Sequence, residues 1–551
     1  MQLELMHRAV SAIERESKSG VVPMVSVGEA AFHKKANPSS QPFSGNVAGG
    51  NLALTLGLIA VAGLLVARFV LAATTELAED EAYYWMWSKH LAAGYYDHPA
   101  MIAWWIRAGT EIFGDTAFGV RFVGLVSTVA GSYFLWRASL ALFADRAAAI
   151  LAVVWMNATI LSAAAGIVST PDTPLAFFAT CVLFALAKLV ETGRGAWWLA
   201  IGAALGLAFM SKYTAALMLP GLFLWMVGTR EGRRWFLRPE PYLGGVVALV
   251  AIAPVAWWNY AHGWASFAKQ AAHGVKDKPA NAFASVGELL GGQAGLATPL
   301  IFFFCLWGSF YALARGLRRG DARWLLLGGI AAPMWAFFIV HAASQKIQPN
   351  WPGLVYPFAI LAAVHGGLAV LGQRRAPVLR VAFIAAPFVG VAFTLVALLQ
   401  LGTGAIPIEG KKDPTARMKG WATLGADIDR LRREHGAGLV LTDRYAITGE
   451  LAFYGMGADG VAQINDRIRY ANFPPPDDTR LKDAPALLVL KAGSQAKASL
   501  PFDSAVQIGT VTRPGGLRPR DAYAVFLLSG YRGGLFACNP ATKRGEICSQ
   551  M

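Results

Sequence analysis

The stretch LALTLGLIAVAGLLVARFVLAA, residues 52–73, decides the fold. It matches the roughly 20 apolar residues that a helix needs to cross a bilayer. A secretory signal core is shorter, about 7–15 residues, and sits nearer the chain start. The run is therefore expected to be an uncleaved first span. Residues 1–51 before it are polar, carry the Lys34-Lys35 pair and are expected to form a disordered cytoplasmic leader. Beyond it, apolar runs recur at 117–143, 147–168, 174–190, 196–227, 241–261, 296–314, 324–343, 353–371 and 377–401. The 196–227 run is too long for one span and holds Lys212 at its middle, where charge is costly. Two short helices with Lys212 at their tip fit better, which makes about eleven transmembrane helices.

Composition agrees. Of 551 residues, 55% are hydrophobic and 15% charged, against about 25% charged in soluble domains. Mean hydropathy is +0.43. Four cysteines exclude a disulfide-dense scaffold. The net charge of +15 suggests nucleic acid at first sight, but the basic residues fall in short clusters between apolar runs and not on one face. Arg146, Lys188, Arg194, Arg230, Arg233, Arg234, Arg238, Arg315, Arg318, Arg319, Arg323, Arg374, Arg375 and Arg380 occupy alternate loops, which the positive-inside rule makes cytoplasmic. Eleven crossings then put the C-terminus outside.

The longer outward loops read as working parts. Loop 74–116 is long and aromatic, and Tyr83, Tyr84, Trp85, Trp87, Tyr95, Tyr96, Trp104 and Trp105 suit helices lying in the membrane interface. Loop 262–295 carries Lys269, Lys276 and Lys278, and loop 344–352 reads SQKIQPNWP. From residue 403 onward the pattern is that of a soluble α/β domain: helical periodicity over 420–435, a helix near 446–456, and strand-like GLVLTD, ALLVLKA, AVQIGTVT and AYAVFLLS. Residues 52–402 thus form a membrane domain and 403–551 an outer domain. There Cys538 and Cys548 could pair in an oxidising compartment; Cys181 and Cys305, in spans, read as packing residues.

Asp80 and Glu81, adjacent at the outer end of the first span, suit a general base for a hydroxyl nucleophile; equally, Asp80 caps a helix and Glu81 complements its dipole. Asp97-His98-Pro99 offers a substrate contact or a turn. Asp172 in STPDTP either caps a span or faces the same cavity as Asp80. Arg121, Lys212 and Lys346 are outward cations that suit an anionic headgroup, or else snorkel at the interface. The four aspartates and glutamates Asp80, Glu81, Asp97 and Asp172 leave a divalent cation possible. GTGAIPIEGKK at 402–412 misses P-loop spacing, with Lys412 where Ser or Thr belongs. The glycines and alanines of GAALGLA, 202–208, suit helix packing.

AEDEAYYWMWSKHLAAGYYDHPAMIAWWIR (78–107) closely resembles the first outer loop of bacterial glycosyltransferase family 39, GT-C membrane enzymes related to protein O-mannosyltransferases and lipid A aminoarabinose transferases. STPDTPLAFF, GLAFMSKYTAALMLP and KIQPNWP are similar to later landmarks in the expected order, and LRREHGAGLVLTDRYAITGELAFYG to the outer domain. The resemblance implies a multi-pass inner-membrane GT-C enzyme that takes a sugar from a polyprenyl-phosphate-linked donor, without a cofactor. The acceptor would be an envelope glycolipid, polysaccharide or protein. It also implies Asp80 as base with Glu81 beside it, and Arg121, Lys212 and Lys346 at the donor phosphate. Tyr83, Asp97, His98, Asp172 and Asn350 would contact substrate. Ala100 departs from the pattern, standing where a second proline is common. The rival is a transporter or flippase for a lipid-linked sugar or other anion, although transporters keep their ionisable groups near the midplane.

Overall fold

The computed structural model describes residues 47–276, 281–371, 376–408, 413–496, 500–515 and 518–536. The chain divides into residues 1–50 and 51–551; of the first unit only the start of the first helix is described. Expectations for the leader through residue 46, and for Lys278, Arg374, Arg375, Lys412, Cys538 and Cys548, fall outside the described residues.

Among the described residues, eight helices are long and apolar enough to cross a membrane. A ninth crossing comes from Arg146–Asn157 and Ile160–Ile167, if that pair, bent by 65°, is one span. The expected single span over 147–168 is therefore broken. Thr159 starts the second helix by accepting the Ser162 amide proton at 3.1 Å, while buried Arg68 satisfies the last carbonyl of the first, Asn157 O, at 2.7 Å. The 196–227 run forms two shorter helices, Trp197–Ser211 and Met218–Gly228, joined by a 3₁₀ turn. Lys212 has extended backbone at the break between them.

Close approach between helices follows small residues, as the 202–208 pattern predicts. A Cβ on Gly202 would lie 1.9 Å from Gly244 O, and one on Gly206 would lie 2.6 Å from the Ala251 Cβ. Both glycines let Trp197–Ser211 lie flush on Glu240–Ala261, where dispersion between backbones replaces a hydrophobic drive that lipid cannot supply.

Beyond Asp413 the chain builds a five-stranded mixed sheet: β1 (Leu439–Thr442), β2 (Val461–Gln463), β3 (Ala486–Lys491), β4 (Phe502–Gly515) and β5 (Arg518–Tyr531), in the order β2-β1-β3-β5-β4. β1 is parallel to β2 and β3, whereas β5 is antiparallel to β3 and β4. The three-residue β2 is too short to show any periodicity in sequence. Helices Trp421–Glu434 and Tyr445–Leu451 flank the sheet.

The loop aromatics do not spread along the membrane surface. Tyr83, Tyr84, Trp85, Trp87 and Tyr95 are buried in one apolar cluster with Trp421, Leu424, Ile428 and Ile447 of the C-terminal segment. Trp87 stacks on Tyr95 at 4.2 Å between centroids. Their amphipathic rings fit the underside of a domain as well as a lipid interface, and here the domain covers them.

Candidate functional site

Helix Glu79–Lys89 opens just after the first span. Its first turn separates the two neighbouring acids. Glu81 is fully buried and reaches back to accept the Ala78 amide proton at 2.9 Å, the return half of a capping box. Asp80, at the second helical position, points outward and stays accessible to water.

Arg121 locks onto Glu81 through two bonds, Nε–Oε1 at 2.8 Å and Nη2–Oε2 at 2.7 Å. The Ser169 amide donates to the same carboxylate at 2.9 Å. The other Arg121 protons go to the carbonyls of Ala72, Thr75 and Glu76 and to Thr75 Oγ1. The guanidinium is fully buried. It neutralises the carbonyl end of the first span and has no face toward a cleft. The expected roles of Arg121 at a phosphate and of Glu81 in catalysis are therefore corrected: the two form a sealed ion pair. A buried pair of this kind holds geometry more than it adds stability.

Asp80 accepts one hydrogen bond, from Tyr445 Oη at 3.1 Å. Protein surrounds it on enough sides that partial burial raises its pKa above the usual carboxylate range. The Tyr445 hydroxyl, Arg417 and Arg469 pull it back, and Glu81 adds to the rise. An accessible carboxylate with a strengthened affinity for protons is what a general base requires.

Asp97 occupies a tight bend closed by the Gly94–Pro99 bridge. It accepts from Tyr83 Oη at 2.8 Å and from Arg469 Nη1 at 2.5 Å, and it contacts Lys269 Nζ. Burial, then the like charge of Arg469, pushes the Lys269 ammonium down to about 7, with Asp466 opposing; the Asp97 carboxylate beside it also favours the charged form. His98 meets the Tyr84 ring edge-on at 6.2 Å.

A third cluster unites three predicted residues. Lys212 Nζ donates to both Asp172 oxygens at 2.8 and 2.9 Å, and Asn350 Nδ2 donates to Asp172 Oδ2 at 2.7 Å. Lys212 Nζ also lies 5.7 Å from the Trp351 ring centre. Asp172 begins helix Asp172–Thr192, so it sits at a helix start and faces the cavity at once. A cavity of about 70 Å³ borders Asp172 and Asn350, lined by apolar side chains such as Leu135, Met156 and Phe177 and by hydroxyls such as Ser132 and Thr180. Lys346, four residues before Asn350, is exposed.

The Tyr83 ring packs at a tilt, 4.8 Å from that of Tyr445, the partner of Asp80. Burial, then the charge of Asp80, raises the Tyr84 phenol well above its ordinary value, and Asp172 adds to the effect. Among the described residues, no three His, Cys, Asp or Glu side chains converge as metal ligands. Glu81, Asp97 and Asp172 each face a protein cation instead.

Tyr445, Arg469 and Arg417 were not among the expected site residues. All come from the C-terminal segment, and only the run DRYAITGE near Tyr445 carried any signal.

The comparisons agree with this architecture. Residues 97–258 match the family model described as dolichyl-phosphate-mannose-protein mannosyltransferase. The lipid A galacturonosyltransferase RgtD of Rhizobium johnstonii is 28% identical over 330 residues, 56% of this chain and 64% of that one. Undecaprenyl phosphate-alpha-4-amino-4-deoxy-L-arabinose arabinosyl transferase 1 of Sodalis glossinidius is 26% identical over 343 residues, 59% of this chain and 58% of that one. The chain thus matches less than two thirds of the length of either relative. The crystal structure of ArnT from Cupriavidus metallidurans bound to undecaprenyl phosphate superposes with a TM-score of 0.59 at 18% identity, covering 86% of this chain and 98% of that one. The protein is a multi-pass membrane protein with the GT-C fold. Within that class its sequence is similar to the mannosyltransferase family model and to the two lipid-linked sugar transferases above.

Proposed function

We propose that the chain is a glycosyltransferase that moves a sugar from a polyprenyl-phosphate-linked donor to an envelope glycolipid on the outer face of the inner membrane. What supports this most is one arrangement: an accessible carboxylate, Asp80, held by Tyr445, and on the same membrane domain the Lys212–Asp172–Asn350 cluster, whose Asp172 and Asn350 border a largely apolar cavity. A lipid phosphate has the same layout, a charged head on an apolar tail. The N-terminus is cytoplasmic in this reading and the C-terminal domain external, because the basic loops alternate with the aromatic ones.

The acceptor hydroxyl attacks the anomeric carbon as the bond to the donor phosphate breaks, with inversion. Asp80 takes the hydroxyl proton. The phosphate leaves as an anion, so no separate acid is needed. Lys212 and the exposed Lys346 stabilise that charge, while Lys269 and Arg469 hold Asp97 in place beside Tyr83. Tyr83, Asp97, His98 and Asn350 shape the pocket around the sugar. Positioning and electrostatics would supply most of the barrier reduction.

The test is transfer from a radiolabelled lipid-linked sugar in detergent, without a membrane gradient. The protein turns the donor over, and Asp80→Asn abolishes transfer while keeping donor binding. Binding without product in the parent protein would favour a transporter instead. Full activity in Asp80→Asn would remove the base assignment.

A further inference from the structure

Asp80 belongs to the first outer loop, but the hydrogen-bond donor it has among the described residues, Tyr445, lies 365 residues away. The contact is built into the docking of the C-terminal domain. One helical turn after Tyr445, Gly449 touches the backbone of the Asp80 helix; a Cβ there would lie 2.7 Å from Tyr83 N and 2.9 Å from Ala82 C. Only glycine lets helix Tyr445–Leu451 come this close, and that approach brings the Tyr445 hydroxyl within reach of Asp80. The ring is held on two sides, by Tyr83 at 4.8 Å and by the Arg469 guanidinium at 4.6 Å. Arg469 is in turn anchored on Asp97 at 2.5 Å. Two further bonds fix the domain on the same loop: the Leu77 amide donates to Tyr454 Oη at 2.6 Å, and the Trp421 amide donates to Glu76 Oε2 at 2.7 Å.

We propose that Tyr445 is a positioning residue for the reaction: its hydroxyl orients the Asp80 carboxylate, so that the C-terminal domain completes the catalytic site. This rests on Asp80 being the base. An ionised carboxylate that accepts one phenolic proton keeps its other oxygen free for the acceptor hydroxyl. The same hydrogen bond stabilises the ionised form, so it also sets the pH at which the base becomes available.

The experiment compares kcat–pH profiles for the full-length detergent-purified protein, its Tyr445→Phe variant, and a form with ring-fluorinated tyrosine at 445, a stronger hydrogen-bond donor of nearly the same shape. Tyr445→Phe should lower kcat by roughly ten- to a hundredfold, the scale of a small misplacement, with donor KM unchanged and the acidic limb moved to higher pH. Fluorination should move that limb to lower pH. A purely structural tyrosine would not produce opposite shifts, and the fluorinated form keeps the test valid even if Tyr445→Phe folds poorly. Unmoved limbs in both proteins, with Asp80→Asn inactive, would overturn the positioning role and leave the base assignment standing. An active Asp80→Asn would overturn both.

Discussion

Glu450 offers a sharp test of how the C-terminal domain sits on loop 74–116. It follows Gly449 on the docking helix, is 0% exposed, and neither carboxyl oxygen has a hydrogen-bond partner among the described residues. Burial, then the negative fields of Glu79, Glu81 and Glu76, raises its pKa well above the ordinary value, with Arg513 opposing. The folded protein therefore keeps a proton that the unfolded chain releases above about pH 4.3. Stability is highest below that pH and falls as pH rises, by about 1.4 kcal/mol per unit, until the folded group itself ionises. Glu450→Gln keeps the shape and the neutral state but has no proton to lose. An unsatisfied neutral amide costs about 1–3 kcal/mol, much as the neutral acid does, so the two proteins should be similar near about pH 5. The variant should gain as pH rises above about 5, until the folded Glu450 itself ionises, with a higher thermal midpoint than the parent over that range. Thermal unfolding in detergent across that range, followed by tryptophan fluorescence, reads the difference. Midpoints that run parallel at all pH values would show that Glu450 carries no linked proton, and the reasoning from burial would fail.

Arg121→Lys or Glu81→Gln breaks a sealed pair and should cost about 3–5 kcal/mol, seen as a lower thermal midpoint and yield with donor KM unchanged in the surviving protein. A raised KM at an unchanged midpoint would restore Arg121 to the phosphate site. Lys212→Met leaves Asp172 facing the cavity with only Asn350, so the double variant with Asp172→Asn should recover part of the lost thermal stability, a coupling of about 0.5–3 kcal/mol. Donor binding, measured by filter retention of labelled lipid phosphate, should stay lost in both, and binding that returns in the double variant would remove Lys212 from the phosphate site. Deleting residues 403–551 should abolish transfer and promote aggregation, because it uncovers Tyr83, Tyr84, Trp85 and Trp87; a monodisperse, active truncation would contradict the assignment of Tyr445 and Arg469 to the site.

Much of the architecture was legible locally. Apolar run length, the break at Lys212 and the small residues at 202–208 each report a property of a short segment; the structure carries the last two as expected, and of the apolar runs it makes eight helices long enough to cross a membrane among the described residues. The bend between Asn157 and Ile160 was not legible, because a continuous apolar run hides a helix end whose carbonyl is satisfied by Arg68 from another span. Within the site, Asp172, Lys212 and Asn350 were each marked as outward polar residues in apolar surroundings, and they meet.

By itself, the sequence determined which segments prefer lipid, which loops carry charge and aromatic rings, and which polar residues deserve scrutiny, since these depend on composition and on periods of a few residues. The tertiary structure decided the division of labour. Neighbouring Asp80 and Glu81 face opposite environments because a helix turns its side chains by about 100° per residue, leaving one in water and one against Arg121. Tyr445 and Arg469 lie 365 and 372 residues from Asp80 and Asp97, the carboxylates they bind. No local pattern encodes a contact at that separation. It exists only because Gly449 allows two helices to touch.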